Sequence, residues 1–158
     1  MMRSAGSGRR DRVLGAIEIP ALGIWLGALV GFAFISAPLA FRLVAPLDLD
    51  RFAALTVTTI EQLTTWGYVL GGIAILAALA RAVSAGDRTW DAIRIALVAL
   101  ALGLASYEQQ AVVPAMQTMP DVHSAAYAEL HLRSSVVYGA VVLLDLIALI
   151  LAAARREA

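Results

Sequence analysis

The chain has 158 residues, enough for one domain, and 61% of them are hydrophobic; a soluble domain holds roughly 45–50% apolar residues, so the excess calls for a non-aqueous environment. Twelve basic residues, all arginine, balance twelve acidic ones, leaving no net charge to attract nucleic acid or another strongly charged partner. With no cysteine, disulfides, thiolate metal sites, haem-attachment motifs and cysteine nucleophiles are excluded, and His123 and His131 alone cannot form a three-histidine metal centre within one chain.

Four long apolar stretches follow one another. Residues 1–12 are small, polar and basic, and read as a disordered cytoplasmic tail. The first helix is expected over about 13–43. It is too long for the core of a signal peptide. It carries Gly23, Gly27 and Gly31 at a spacing of four, a ladder that lets another helix approach closely in lipid. Pro38 removes a backbone donor near its far end and should kink it. A short turn follows, with Asp50 as the expected N-cap of the second helix, over about 51–83. At about 1.5 Å per residue that helix exceeds a hydrocarbon core of about 30 Å. Residues 84–89 form a polar turn with Gly86 as the stop signal. The third helix is expected over about 90–113, broken or kinked by Pro114. The longest external connection precedes the fourth, over about 124–154, and residues 155–158 form a second short tail.

Orientation follows from the arginines. Arg3, Arg9, Arg10, Arg12, Arg81, Arg88, Arg94, Arg155 and Arg156 fall on one side, and only Arg42, Arg51 and Arg133 on the other. By the positive-inside rule both termini are cytoplasmic, which agrees with an even number of crossings. The expected fold is an all-α, four-helix transmembrane bundle.

Polar residues gather on helix faces. At 100° per residue, Tyr127, His131, Ser134, Ser135, Tyr138 and Asp145 share one stripe of the fourth helix. Thr58, Glu61, Thr64, Thr65, Tyr68 and Gly72 share a side of the second. Gly103, Ser106, Tyr107, Gln110 and Pro114 cluster on the third, and Glu108 points away from that cluster. Three polar stripes imply a polar cavity shared between helices and open toward the outer face, with Glu61, Gln110 and His131 at its mouth and Asp145 deeper. An ionised carboxylate at the bilayer centre costs about 2.5–3.5 kcal/mol on insertion scales. Asp145 is therefore protonated, paired or solvated by a cavity, and is a functional candidate.

The first helix reads WLGALVGFAFISAPLAFR and the fourth opens with YAELHLRSS. A glycine-rich first helix ending in Ala-Pro-x-x-Phe, with Leu-His-x-x-Ser opening the fourth, resembles the transmembrane protein 205-like family of small four-helix membrane proteins. Its motif positions correspond to Gly27, Gly31, Pro38, Phe41, His131 and Ser134. The resemblance implies a small four-helix membrane protein and hints at the handling of soft metal ions or at secretion; the expected location is a bacterial-type inner membrane, crossed several times with both termini inside.

Each polar group carries two readings. His131 with Glu61 is a candidate site for a divalent or copper ion, with Met116 and Met119 as nearby soft donors; the plainer reading is an imidazole–carboxylate bond fastening two helices. His131, Tyr138 and Asp145, spaced by seven, form either a water-bridged proton path or a set of interhelical bonds. Trp25, Trp66 and Trp90 read as interface or lipid anchors. Haem is the weaker cofactor candidate, because both histidines belong to one helix or its lead-in. An enzyme is not indicated, since no nucleophile–base–acid set is present. The expected function is a transporter or a metal- or ligand-binding membrane protein using Glu61, Thr65, Tyr68, Tyr107, Gln110, His131, Ser134, Tyr138 and Asp145. The alternative is an accessory or assembly subunit, packed by its Gly23, Gly27, Gly31 and Pro38 face against other membrane proteins or a second copy, with its polar interior as hydrogen-bonded glue.

Overall fold

The computed structural model describes residues 5–83, 88–119, 121 and 123–154. Among these it is all-helical, with four helices long and apolar enough to cross a membrane: Arg10–Leu43, Leu49–Ala82, Thr89–Gln117 and Ala125–Ala154. The first span comprises α1 (Ala5–Gly31), a π-helical segment (Phe32–Ser36) and α2 (Ala37–Leu43). The second is α3 (Leu49–Ala82). The third is α4 (Thr89–Tyr107), a π segment (Glu108–Val112) and α5 (Val113–Gln117). The fourth is α6 (Ala125–Ala154).

The first helix begins at Ala5, inside the stretch expected to be a disordered tail. The expected stop at Gly86 and the tail 155–158 lie outside the described residues. The cap of α3 also differs. Asp48, in an extended conformation, accepts from the Arg51 amide at 2.9 Å, while Asp50 sits in the first turn. Only the residue just outside the helix has a side chain able to fold back on the unpaired amides.

Neither Pro38 nor Pro114 ends its span. Pro38 and Pro114 lack the amide that would bond four residues back, and each ring would press on that carbonyl. The chain widens instead. The Ala37 amide bonds to Phe32 O and the Val113 amide to Glu108 O, five residues back, directly before each proline. Helix then resumes through Leu43 and Gln117, so the third span runs past the expected break.

The spans pack in a ring. α1 lies against α3 and α6, and α4 closes the ring against the same two helices. The start of α1 and the end of α6 therefore lie at one end of the bundle, here the terminal end, and the far ends of the first and third spans lie at the other, the loop end. The buried residues repeat at three and four: Gly15, Glu18, Leu22, Trp25 and Leu29 on α1; Gly67, Gly71, Ala74, Ala78 and Arg81 on α3; Asp91, Arg94, Val98 and Ala101 on α4; and Val141, Asp145, Ala148 and Ala152 on α6. That repeat is the knobs-into-holes spacing of near-antiparallel helices. On α3 small residues fill all of it but Arg81, as expected where close van der Waals packing rather than water exclusion joins helices.

The glycines divide in two. A Cβ at Gly67 would lie 2.8 Å from Trp25 Nε1, and one at Gly71 would lie 3.1 Å from the Leu102 methyl groups. These two admit a neighbouring helix. At Gly23, Gly27 and Gly31 a Cβ would meet nothing within 4 Å. The ladder of the first span therefore faces away from the bundle. Trp25, expected as an anchor, is a core residue packed on Gly67, while Trp66 and Trp90 are exposed.

Candidate functional site

The interior carries more charge than the polar stripes implied. Glu18, Arg81, Asp91, Arg94, Glu108 and Asp145 are all buried. None of these except Asp145 was placed inside by the sequence reading. They form two groups and one isolated carboxyl along the bundle axis.

The first group closes the terminal end. Glu18 on α1 pairs with Arg81 on α3 through Oε2 and Nη2, and Glu18 Oε1 lies 3.3 Å from Arg94 Nε on α4. Asp91 pairs with Arg94 one turn away and approaches Arg81 Nε at 3.8 Å. Arg94 Nη1 also donates to the Leu151 carbonyl of α6 at 3.4 Å. All four spans thus meet at one cluster of two carboxylates and two guanidiniums with no net charge. Arginine suits this place, because its fork of donors reaches two carboxylates at once while keeping its proton.

Asp145 lies further in. It is 0% exposed, and neither carboxyl oxygen has a hydrogen-bond partner among the described residues. It sits six residues from Leu151, about 9 Å along the helix. Such a group invites a functional explanation.

The second group lies toward the loop end. Glu108, 4% exposed, begins the π segment of the third span. The Ser134 hydroxyl of α6 donates to its Oε1, and its Oε2 has no hydrogen-bond partner among the described residues. Glu108 lines a cleft between the four spans with Trp25 and Leu29, Ile60, Leu63 and Thr64, Ala105, and Val137, Tyr138 and Val141. The Tyr138 hydroxyl is held away from the carboxyl, donating to the Leu29 carbonyl at 2.8 Å, and its ring meets Phe32.

The expected site residues divide accordingly. Ser134, Tyr138 and Asp145 are interior. Glu61, Thr65, Tyr68, Gln110 and His131 are exposed, and Tyr107 is half-buried. Glu61 and His131 are joined by no hydrogen bond or ion pair among the described residues, and no group of three His, Cys, Asp or Glu side chains gathers there to hold a metal. His131 stacks on Tyr127 instead, and the Thr65 hydroxyl bonds back to the Glu61 carbonyl of its own helix at 2.9 Å. His131 continues the Asp145–Tyr138 stripe, but beyond the turn at which neighbouring helices cover it. Tyr68 meets the Ser106 hydroxyl at 2.8 Å, and Arg133 lies 5.2 Å over the Tyr107 ring. These contacts tie helices together at the rim.

Glu108 points inward, contrary to expectation, because Asp91, Arg94, Val98, Ala101, Ala105, Glu108 and Val112 form one three-and-four repeat. The hydroxyl and amide cluster of the third helix lies on the flank of that repeat. The same test finds Glu18 and Arg81, each of which continues a line of small or apolar core residues on its own helix.

No curated protein and no solved structure matches this chain. A protein-family model described as a domain of unknown function (DUF4149) matches residues 21–124. That region takes in most of the first span and all of the second and third, including Arg81, Asp91, Arg94 and Glu108, while Glu18 and α6 lie beyond it. Covering about two thirds of the chain, the match identifies this four-helix membrane protein as a member of the DUF4149 family.

Proposed function

We propose that the protein is a small membrane transporter or ligand-binding protein that works through carboxyl groups inside its bundle, Glu108 and Asp145. The observation that carries this reading is a contrast in pairing. Glu18 and Asp91 face two arginines, whereas Asp145 and Oε2 of Glu108 are buried with no hydrogen-bond partner among the described residues. Buried polar groups left open in this way are costly and are retained where they bind or move something. The polar rim of Glu61, Gln110 and His131 becomes the approach to this interior, and the charge cluster closes its terminal end. We take that end to face the cytoplasm of a bacterial-type inner membrane, on the arginine excess there. Kinship with the transmembrane protein 205-like proteins rests on the Ala-Pro-x-x-Phe and Leu-His-x-x-Ser elements.

The test is reconstitution into liposomes that enclose a pH-sensitive dye, with an imposed potential. Protein-dependent proton or cation flux is expected in the wild type, together with its loss in Asp145→Asn and Glu108→Gln, both near-isosteric. Flux that persists unchanged in both variants would sink this reading.

A second reading has an observation of its own. The ladder of Gly23, Gly27 and Gly31 faces outward, and a Cβ on any of the three would meet nothing within 4 Å, which suits an accessory subunit packed against another membrane protein or a second copy. Mass measurement in mild detergent separates the two: a complex dispersed by Gly27→Leu favours the subunit role, and a monomer removes it.

A further inference from the structure

We infer that Glu108 is a proton-binding site, loaded through a single water held against its Oε2. The inference rests on the carboxyl-site reading above and names the ligand of that site as the proton.

The size of the space decides first. Between the spans, beside Glu108, there is room for about one water molecule, and no organic molecule fits. The lining decides next. Glu108, Thr64 and Tyr138 are the lining residues with an oxygen in the side chain, and the Tyr138 hydroxyl is bonded to the Leu29 carbonyl. The remainder is apolar, with Leu29, Leu63, Val137 and Val141 among it. A divalent metal ion needs four or more oxygen, nitrogen or sulfur ligands, and no group of three His, Cys, Asp or Glu side chains gathers among the described residues. An alkali ion gives up its hydration shell only where a set of oxygens replaces it. An ammonium ion would set most of its N–H donors against hydrocarbon. A proton needs one lone pair, and its arrival cancels the carboxylate charge that an apolar surrounding disfavours.

The carboxyl is held for this role. The Ser134 hydroxyl donates to Oε1, and Oε2 has no hydrogen-bond partner among the described residues, so Oε2 is the accepting oxygen. A protonated water in the space gives up one proton to it. An O–H bond breaks at the water and forms at the carboxyl, leaving a neutral water and a neutral acid. Buried waters need at least two polar partners, and Thr64 adds a second polar side chain to the lining. The site lies near the rim, because Ser134 is about 5 Å along α6 from the exposed His131. Asp145 is about 16 Å along α6 from Ser134, more than one water spans, so Glu108 loads independently of it. Glu108 also opens a π turn, a backbone form frequent at functional sites.

The experiment uses the full chain in liposomes and two readouts: dye-reported proton flux, and the carbonyl stretch of a protonated carboxylic acid in infrared difference spectra between acid and alkaline buffer. The expected result is an acid band that is lost in Glu108→Gln and retained in Asp145→Asn. Proton flux should be unchanged when sodium is replaced by N-methylglucamine, with no uptake of labelled sodium or rubidium above empty liposomes. Ala105→Val, which fills the water-sized space and keeps the carboxyl, is expected to lose flux while its equilibrium band remains. Circular dichroism and monodispersity confirm that each variant is folded. Absence of a Glu108-dependent band, or full flux in Ala105→Val, overturns the inference. Sodium or rubidium uptake that is lost in Glu108→Gln overturns it too, and leaves the carboxyl-site reading standing. A Glu108 band without flux of any ion keeps the proton site and removes transport. If band and flux are both absent, both readings fail.

Discussion

Gly67 and Gly27 occupy similar apolar helices and do opposite things. At Gly67 an added Cβ would press on the ring of Trp25, a buried side chain with little room to give. Gly67→Ala should therefore destabilise the bundle by about 1–3 kcal/mol, the usual cost of overpacking, read as a lower midpoint of thermal unfolding in detergent. At Gly27 the same methyl meets nothing, and alanine is the better helix former by roughly 0.5–1 kcal/mol. Gly27→Ala should leave the midpoint unchanged or raise it, and a marked fall would mean that the ladder is already occupied by a partner. The Asp48 carboxylate caps α3 at an exposed turn, so Asp48→Ala should cost about 1 kcal/mol, visible in the same melt, whereas Asp50→Ala should have the smaller effect.

The first and third spans share a device. Each widens into a π turn of five residues, followed after one α-helical residue by proline. The sequence signal, one proline late in an apolar helix, was open to several outcomes: a stop, a kink or a widened turn. In lipid the stop is the costly one, because amides freed from the helix have no water to bond. The widened turn keeps the span helical to Leu43 and to Gln117. It also shifts residues from the preceding register, and Gln110, expected at the mouth of the cavity from the face of α4, lies within the turn and is exposed.

Across the bundle, the four-charge cluster joins all four spans through polar contacts. Its members reach between helices that are diagonal in the ring, Glu18 of α1 to Arg94 of α4. Removing one member leaves a buried charge uncompensated, at about 3–5 kcal/mol. Arg94→Leu should lower the unfolding midpoint more than any rim substitution such as His131→Ala. The combination Glu18→Gln with Arg94→Gln keeps the remaining pair neutral and should recover part of that loss. If the single and double variants melt alike, the cluster does not act as a unit. The cysteine-free chain also permits a clean orientation test. A cysteine at Thr118 should react with a membrane-impermeant maleimide from outside intact cells, and one at Arg88 only after lysis.

Much of this architecture was legible along the chain. Four apolar stretches of sufficient length must each span lipid as helix, since no other open structure satisfies the backbone there, and their short connections make neighbours antiparallel. Ser134, Tyr138 and Asp145 lie on the polar stripe that the sequence marks on α6, although His131 of the same stripe is exposed. The rest depended on which face of each helix its neighbours cover. Polar residues may mark an interior or a rim, and the third helix offered both: the cluster around Ser106 and Gln110 on its flank, and Glu108 on the line of Val98 and Ala101. Only the packing of α6 against that line brings Ser134 to Glu108, and only closure of the ring brings Glu18 to two arginines from other spans. Hydropathy is a property of a segment and can be summed along it. Burial of a charge is a property of contacts between segments, so the spans were readable one at a time and the site was not.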